Sequence, residues 1–303
     1  MKTRRTLVPL ATSAVLALTL AACGESGNDE PGGAATSSDD GSSPAPSDDA
    51  EGPGGDGTDE PTQGGDGGST GDAATAVYFV ADGPLGPRLV REFQAGGADL
   101  ASAVDLLSGS PVDPDYSNLV AGWVQSAALD GDEIVATVDG GAPGEEVDTD
   151  ASLAVQQVVY TLQAAAGDPH PVRFVDSAGS DVTALAGATN PVAAAPQIDT
   201  LLLVNVTDPA EGTAVSGSFT ATGRASSFEN TVRWELRSDA DGVVADGFTT
   251  AEGDWTTGLV PWEATVDVSG LAAGTYTFVA STDDPSGGEG PGPAEDSKTI
   301  TVQ

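Results

Sequence analysis

From Gly24 to Thr75 the chain contains no Leu, Ile, Val, Phe, Tyr, Trp, Lys or Arg, and is almost exclusively Gly, Ser, Pro, Asp, Glu, Ala and Thr. A stretch without apolar side chains cannot offset the entropy of ordering by burial, so it is predicted to be disordered, and any core must form elsewhere. A flexible chain of this length has a root-mean-square span of about 40 Å. Repulsion among Asp39, Asp40, Asp48, Asp49, Glu51, Asp56, Asp59 and Glu60 extends it further. The reading is a tether, or a neutral spacer. The whole chain is acidic, with a formal net charge of −37. Such a surface repels phosphate backbones and anionic headgroups, which argues against nucleic-acid binding and against a basic membrane patch.

Before this stretch lies an apolar run, Leu7 to Leu20, preceded by Lys2, Arg4 and Arg5 and followed by Ala21-Ala22-Cys23. A basic start, a short apolar core and small residues at a cut site make a secretory signal. Cys23 is the only cysteine, and its place directly after the small residues resembles the lipobox of bacterial lipoproteins. That resemblance implies cleavage between Ala22 and Cys23, thioether lipidation of Cys23 and acylation of its new amino terminus. More than one chain is needed for stable anchoring. With one cysteine, no intrachain disulfide can support the fold, so core packing must.

Folded sequence is predicted from Ala76. Ala76 to Val80 reads as a strand, Asp82 to Gly86 as a turn and Pro87 to Phe93 as the return strand. Leu100, Ala103, Val104 and Leu107 recur with helical spacing within 98–107. A second hairpin is expected over 124–129 and 133–138 around Asp130-Gly131-Asp132. A second helix is expected over 151–165, with Val155, Val158, Val159 and Leu162 as its apolar stripe and Asp148 or Asp150 as its cap. A third pair, 172–175 and 182–185, completes a repeated hairpin–helix unit with two helices on one sheet, an α+β domain.

Asn190 to Pro196 reads as a hinge. Beyond it the helical period disappears. Leu202/Val204/Val206, Val232/Trp234/Leu236, Ala264/Val266/Val268, Tyr276/Phe278/Ala280 and Ile300/Val302 alternate, separated by turn signals at β-sandwich spacing. The predicted organisation is a signal over 1–22, the lipidated linker over 23–75, the α+β domain over 76–189, the hinge over 190–198 and an all-β sandwich over 199–303.

Val77-Tyr78-Phe79-Val80, Arg91, Leu106-Leu107-Ser108-Gly109 and Leu153 to Leu162 with Tyr160 resemble the GerMN domain of sporulation and germination proteins. The second half resembles the immunoglobulin-like domain of bacterial spore germination proteins. That resemblance rests on Asp208-Pro209-Ala210-Glu211-Gly212, Gly223-Arg224-Ala225, Phe228-Glu229, Val232-Arg233-Trp234-Glu235-Leu236, Asp241-Gly242, Pro261-Trp262 and Gly274-Thr275-Tyr276. Together they imply an extracytoplasmic binding or scaffolding role without catalysis.

Candidate chemistry is sparse. His170 is the only histidine and lies between Pro169 and Pro171; it is read as a loop residue rather than the base of a triad. From Ala76 onward there is no Gly-x-Ser-x-Gly elbow, and the chain has no Gly-x-x-x-x-Gly-Lys phosphate loop and no dinucleotide fingerprint after a strand. Oxygen-rich pairs that suit calcium are Asp113/Asp115, Asp130/Asp132, Asp239/Asp241 and Asp283/Asp284, the alternative being turn formation and solubility. Trp234 and Trp262 are read as core. Trp123 and Trp255 are read as loop residues, partly buried at a domain edge or anchoring a partner. Phe228 is read as a packed turn residue, with Glu229 pairing locally. No cofactor or metal is expected. The predicted function is that of a non-catalytic envelope lipoprotein, lipid-anchored on the extracytoplasmic face of the cell membrane, with envelope proteins as partners. The alternatives are regulation of a membrane sensor kinase and binding of a wall glycan or peptide.

Overall fold

The computed structural model describes residues 74–143, 149–284 and 288–303, without the side chains of Thr149 and Asp150. The signal, Cys23, nearly all of the linker and the acids of 145–148 lie outside them, as does the capping role assigned to Asp148 or Asp150.

The first half opens with a hairpin, β1 (Ala74–Gly83) and β2 (Gly86–Ala95), paired from Ala74↔Ala95 to Gly83↔Gly86. Alternation along β1 buries Val77 and Phe79. Helix α1 (Leu100–Leu107) follows; the Asp99 carboxylate accepts from Ser102 N at 2.8 Å and caps it. Its expected stripe buries Ala103, Val104 and Leu107. The predicted second hairpin is present as β3 (Val124–Asp130) and β4 (Glu133–Val138).

Helix α2 (Thr149–Ala166) buries Val155, Val158, Val159 and Leu162, but also Gln156, Gln157 and Thr161. These polar groups are buried because each has a backbone to bind. Gln157 Oε1 accepts from Leu119 N at 3.1 Å, Thr161 Oγ1 from Tyr78 N at 2.9 Å and Gln156 Oε1 from Ala195 N at 2.8 Å. The helix is thus fixed to β1, to the loop before β3 and to the segment after residue 190.

Two features differ from the expected repeat. The strands form a two-stranded sheet (β1-β2) and a three-stranded sheet (β3-β4-β5), not one sheet. The third hairpin is not formed. β5 (Val172–Val175) pairs parallel to β4, and the chain beyond the 176–180 turn returns only as a bridge, Val175↔Asp181. The reason is competition for the free edge of β5. Asn190 Oδ1 accepts from Phe174 N at 3.0 Å, Asn190 Nδ2 donates to Phe174 O at 2.7 Å, and Val172 bridges Val192.

The second half is an immunoglobulin-like sandwich. After a single turn, α3 (Gln197–Thr200), come β6 (Val204–Asp208), β7 (Thr213–Val215), β8 (Ser218–Ala225), β9 (Thr231–Ser238), β10 (Gly242–Thr250), β11 (Val260–Asp267), β12 (Gly274–Thr282) and β13 (Glu295–Val302). One sheet has the order β10-β9-β12-β13-β7, the other β11-β8-β6. The alternating residues Val232, Leu236, Phe278, Ala280, Ile300 and Val302 are buried, as are Val204, Val206, Ala221, Ala264 and Val266. Close packing requires glycine at 223: a Cβ there would lie 1.9 Å from Asn205 O and 2.7 Å from the Trp262 ring.

The halves share a boundary. Leu202 N donates to Leu89 O at 2.7 Å, Asn205 Nδ2 to Arg91 O at 2.8 Å and Arg91 Nη2 to Thr207 Oγ1 at 3.1 Å, so β2 lies beside the start of the sandwich. Val80, Leu89, Leu153 and Tyr160 from the first half cluster with Leu201 and Leu259 from the second.

Candidate functional site

The most unusual chemistry lies at this boundary. On β13 the period-two pattern places Asp296 and Lys298 on the face that carries Ile300 and Val302, and all four are buried. They meet the turn 113–116 of the first half, where Asp113 Oδ1 accepts from Asp115 N at 2.9 Å. Glu92 of β2 fixes that turn by accepting from Asp113 N at 2.8 Å and Val112 N at 3.0 Å.

Asp113, Asp296, Lys298 and Tyr116 are 1%, 3%, 4% and 7% exposed. Lys298 Nζ lies 2.5 Å from Asp113 Oδ2 and 3.4 Å from Asp296 Oδ1. It also donates to Tyr116 Oη and sits 4.4 Å from the centre of the Tyr116 ring. Tyr116 Oη donates to Asp296 Oδ1 at 2.6 Å, and Val206 N donates to Asp296 Oδ2 at 2.6 Å. Burial pushes the Asp296 carboxyl above the usual carboxylate range, opposed by Lys298, Tyr116 and the Val206 amide. Burial, reinforced by Asp296, raises the Tyr116 hydroxyl, which therefore remains a donor. One ammonium faces two carboxylates, so the cluster is coupled and under-neutralised. Removing one member of a buried pair typically costs about 3–5 kcal/mol.

Beside the cluster is a cleft of about 340 Å³ between the halves, walled by Asp82 and Asp115 on one side and Arg237, Glu295 and Ser297 on the other. Ser297 Oγ donates to Asp115 Oδ2 at 2.8 Å. Arg237 is held by Glu235 at 2.8 Å and by Glu295 at 3.7 Å. One polar contact, Ser297 to Asp115, thus crosses the cleft, while the Arg237 pairs lie within the second half.

The residues singled out from sequence are dispersed. Ala22 and Cys23 lie outside the described residues. His170 caps no constellation; its Nδ1 lies 3.2 Å from Asp132 O. Of the calcium candidates, Asp113/Asp115 is absorbed into the boundary. Asp130/Asp132 brackets the β3–β4 turn, and Asp239/Asp241 lies in the β9–β10 turn, where Asp241 N donates to Ser238 Oγ at 3.0 Å. Asp283 pairs with Arg233 at 2.8 Å, while Asp284 Oδ2 accepts from Gly288 N at 2.9 Å. Among the described residues no three His, Cys, Asp or Glu side chains group as a metal site.

Trp262 is core, at 3% exposure. Trp234 is half-buried and stacks on Phe278 at 6.3 Å. Trp123 is not at an edge: it is 6% exposed and stacked on Phe174 at 5.4 Å. Trp255 is half-buried against Phe228, which is 43% exposed rather than packed under a turn. Glu229 has φ 53° and no ion pair among the described residues. Sequence reasoning missed Tyr116, Asp296 and Lys298. One signal was available: Lys298 is the only lysine after Lys2, and the Ile300/Val302 alternation extends back through it to Asp296.

Residues 203–289 match the family described as the immunoglobulin-like domain of bacterial spore germination, Gmad2. No curated protein matches the chain. Among solved structures, one match is the neutron crystallographic structure of a Jonesia denitrificans lytic polysaccharide monooxygenase. It is 12% identical, covering 31% of this chain and 60% of that chain with a TM-score of 0.21. At that score the likeness carries no argument about fold or activity.

Proposed function

We propose that the protein is a membrane-anchored, extracytoplasmic lipoprotein whose folded part is a non-catalytic protein–protein interaction or scaffolding module in a cell-envelope assembly of the sporulation or germination type. The observation that carries this reading is the match of residues 203–289 to the immunoglobulin-like domain of bacterial spore germination. The resemblance of 76–187 to the GerMN domain and the lipobox ending at Cys23 support it. No helix among the described residues is long and apolar enough to cross a membrane.

Physically, the boundary cluster braces the two halves, so they present one surface rather than two swinging ones. A rigid, strongly acidic module at the end of an acidic tether suits a partner with a basic face, whose encounter is steered by charge. The test is photo-crosslinking in intact cells from exposed positions such as Phe248. The expected result is reproducible capture of a defined envelope protein, weakened by added salt. A turnover activity abolished by changing a single polar residue of either half would contradict the reading.

A further inference from the structure

The contact between Lys298 and Asp113 permits more than ion pairing. Lys298 is the only lysine after Lys2, and its amine is directed at a carboxylate from a different half of the fold, 2.5 Å away. A carboxyl carbon lies one bond beyond that oxygen, so the amine is close to the roughly 3–3.5 Å separation of a near-attack geometry. A second buried carboxyl, Asp296, is connected to the same amine through the Tyr116 hydroxyl. An amine, an electrophilic carboxyl and a proton relay, shielded from water, are what amide formation needs.

We propose that Lys298 and Asp113 condense into an isopeptide bond that joins the two halves covalently, with Tyr116 and Asp296 carrying a proton. The balance is closed. The ammonium gives one proton to the Asp113 carboxylate that it faces, which makes Asp113 the neutral acid. The freed lone pair of Nζ attacks Cγ of Asp113, and the N–C bond forms. A second proton leaves the nitrogen through the Tyr116 hydroxyl to Asp296, which passes it to the departing oxygen. That oxygen of Asp113 departs with the C–O electron pair and both protons, as water. Nζ keeps one hydrogen as the amide N–H, and Asp296 ends in the protonation state in which it began. No oxidant, reductant or activating group is required.

The surroundings favour each step. Low dielectric reduces the cost of passing a proton from the ammonium to a carboxylate, because the resulting pair is uncharged. Burial raises the Asp296 carboxyl, which suits a group that must take a proton and return it. The Tyr116 ring covers one side of the amine, and exclusion of water protects the product from hydrolysis. Asp113 is the electrophile rather than Asp296: it is nearer to the amine, and its turn is held from behind by Glu92. This inference is independent of the lipid anchor and of any partner.

The test is peptide mapping of the full chain, denatured and digested with trypsin. An amide at Lys298 blocks cleavage there. The expected product is one branched species containing residues 92–173 and 238–303, lighter than their sum by one water, with peptide 299–303 absent. Complete release of 299–303, with both segments at their sequence masses, overturns the proposal on the native protein alone. Asp113→Ala should restore release of 299–303; a link that persists in that variant overturns the assignment of Asp113. Asp296→Asn, which keeps the acceptor for Tyr116, should slow the bond by about 100-fold or more if it removes the relay. Linking at the native rate would overturn that role.

Discussion

Leu89→Ala tests whether the two halves are one cooperative unit. Leu89 is fully buried in the cluster that spans the boundary, and its carbonyl accepts from Leu202 N. The substitution removes three buried carbons, which at about 0.8 kcal/mol each gives about 2.4 kcal/mol of lost transfer free energy. The strand pairing of β2 and the opposing residues Leu201 and Leu259 limit collapse, so a residual void adds to this and brings the loss to about 3–4 kcal/mol. Native-state hydrogen exchange reads the result at two places, the core amides of α2 and those of β12. If the halves unfold together, both sets lose the same protection. If β12 keeps its native protection while α2 loses it, the halves are separate units and the argument from the shared boundary fails.

Two glycine substitutions should rank by what their new methyl group meets. Gly223→Ala places a Cβ 1.9 Å from the Asn205 carbonyl, backbone that can move only by displacing β6, so thermal unfolding should show a loss above about 3 kcal/mol or no folded protein. Gly247→Ala meets the Trp234 ring at 2.5 Å, and that side chain is only half-buried. Its loss should be smaller, about 1–2 kcal/mol, with a changed Trp fluorescence. The reverse order would refute the packing described for the sandwich.

Much of the second half was legible because its strands bury one face, so the period-two pattern at Val232/Leu236, Phe278/Ala280 and Ile300/Val302 reports the sheet directly. The stripe of α2 was legible for the same reason at helical spacing. What failed depended on partners distant in sequence. Val182 and Leu185 look like a strand, but only Val182 N reaches β5, donating to Phe174 O; the Asn190 side chain takes Phe174 N and Val192 bridges Val172, so the pairing stops there. Trp123 sits beside a glycine and reads as a loop residue; its burial comes from stacking on Phe174. Asp113, in a Pro-rich acidic stretch, reads as solvated, and nothing nearby reveals that Lys298 lies against it. The site at the boundary is therefore a tertiary product, and only the placement of Lys298 on an apolar face hinted at it.

Membrane attachment through Cys23 is the point on which the proposed function most depends. Cells producing the native chain and the Cys23→Ala variant can be labelled with a clickable fatty acid and fractionated. The native chain is expected in the membrane fraction, labelled and lacking residues 1–22, and the variant unlabelled and released. Retention of both at the membrane, or a native chain without label, would contradict the account.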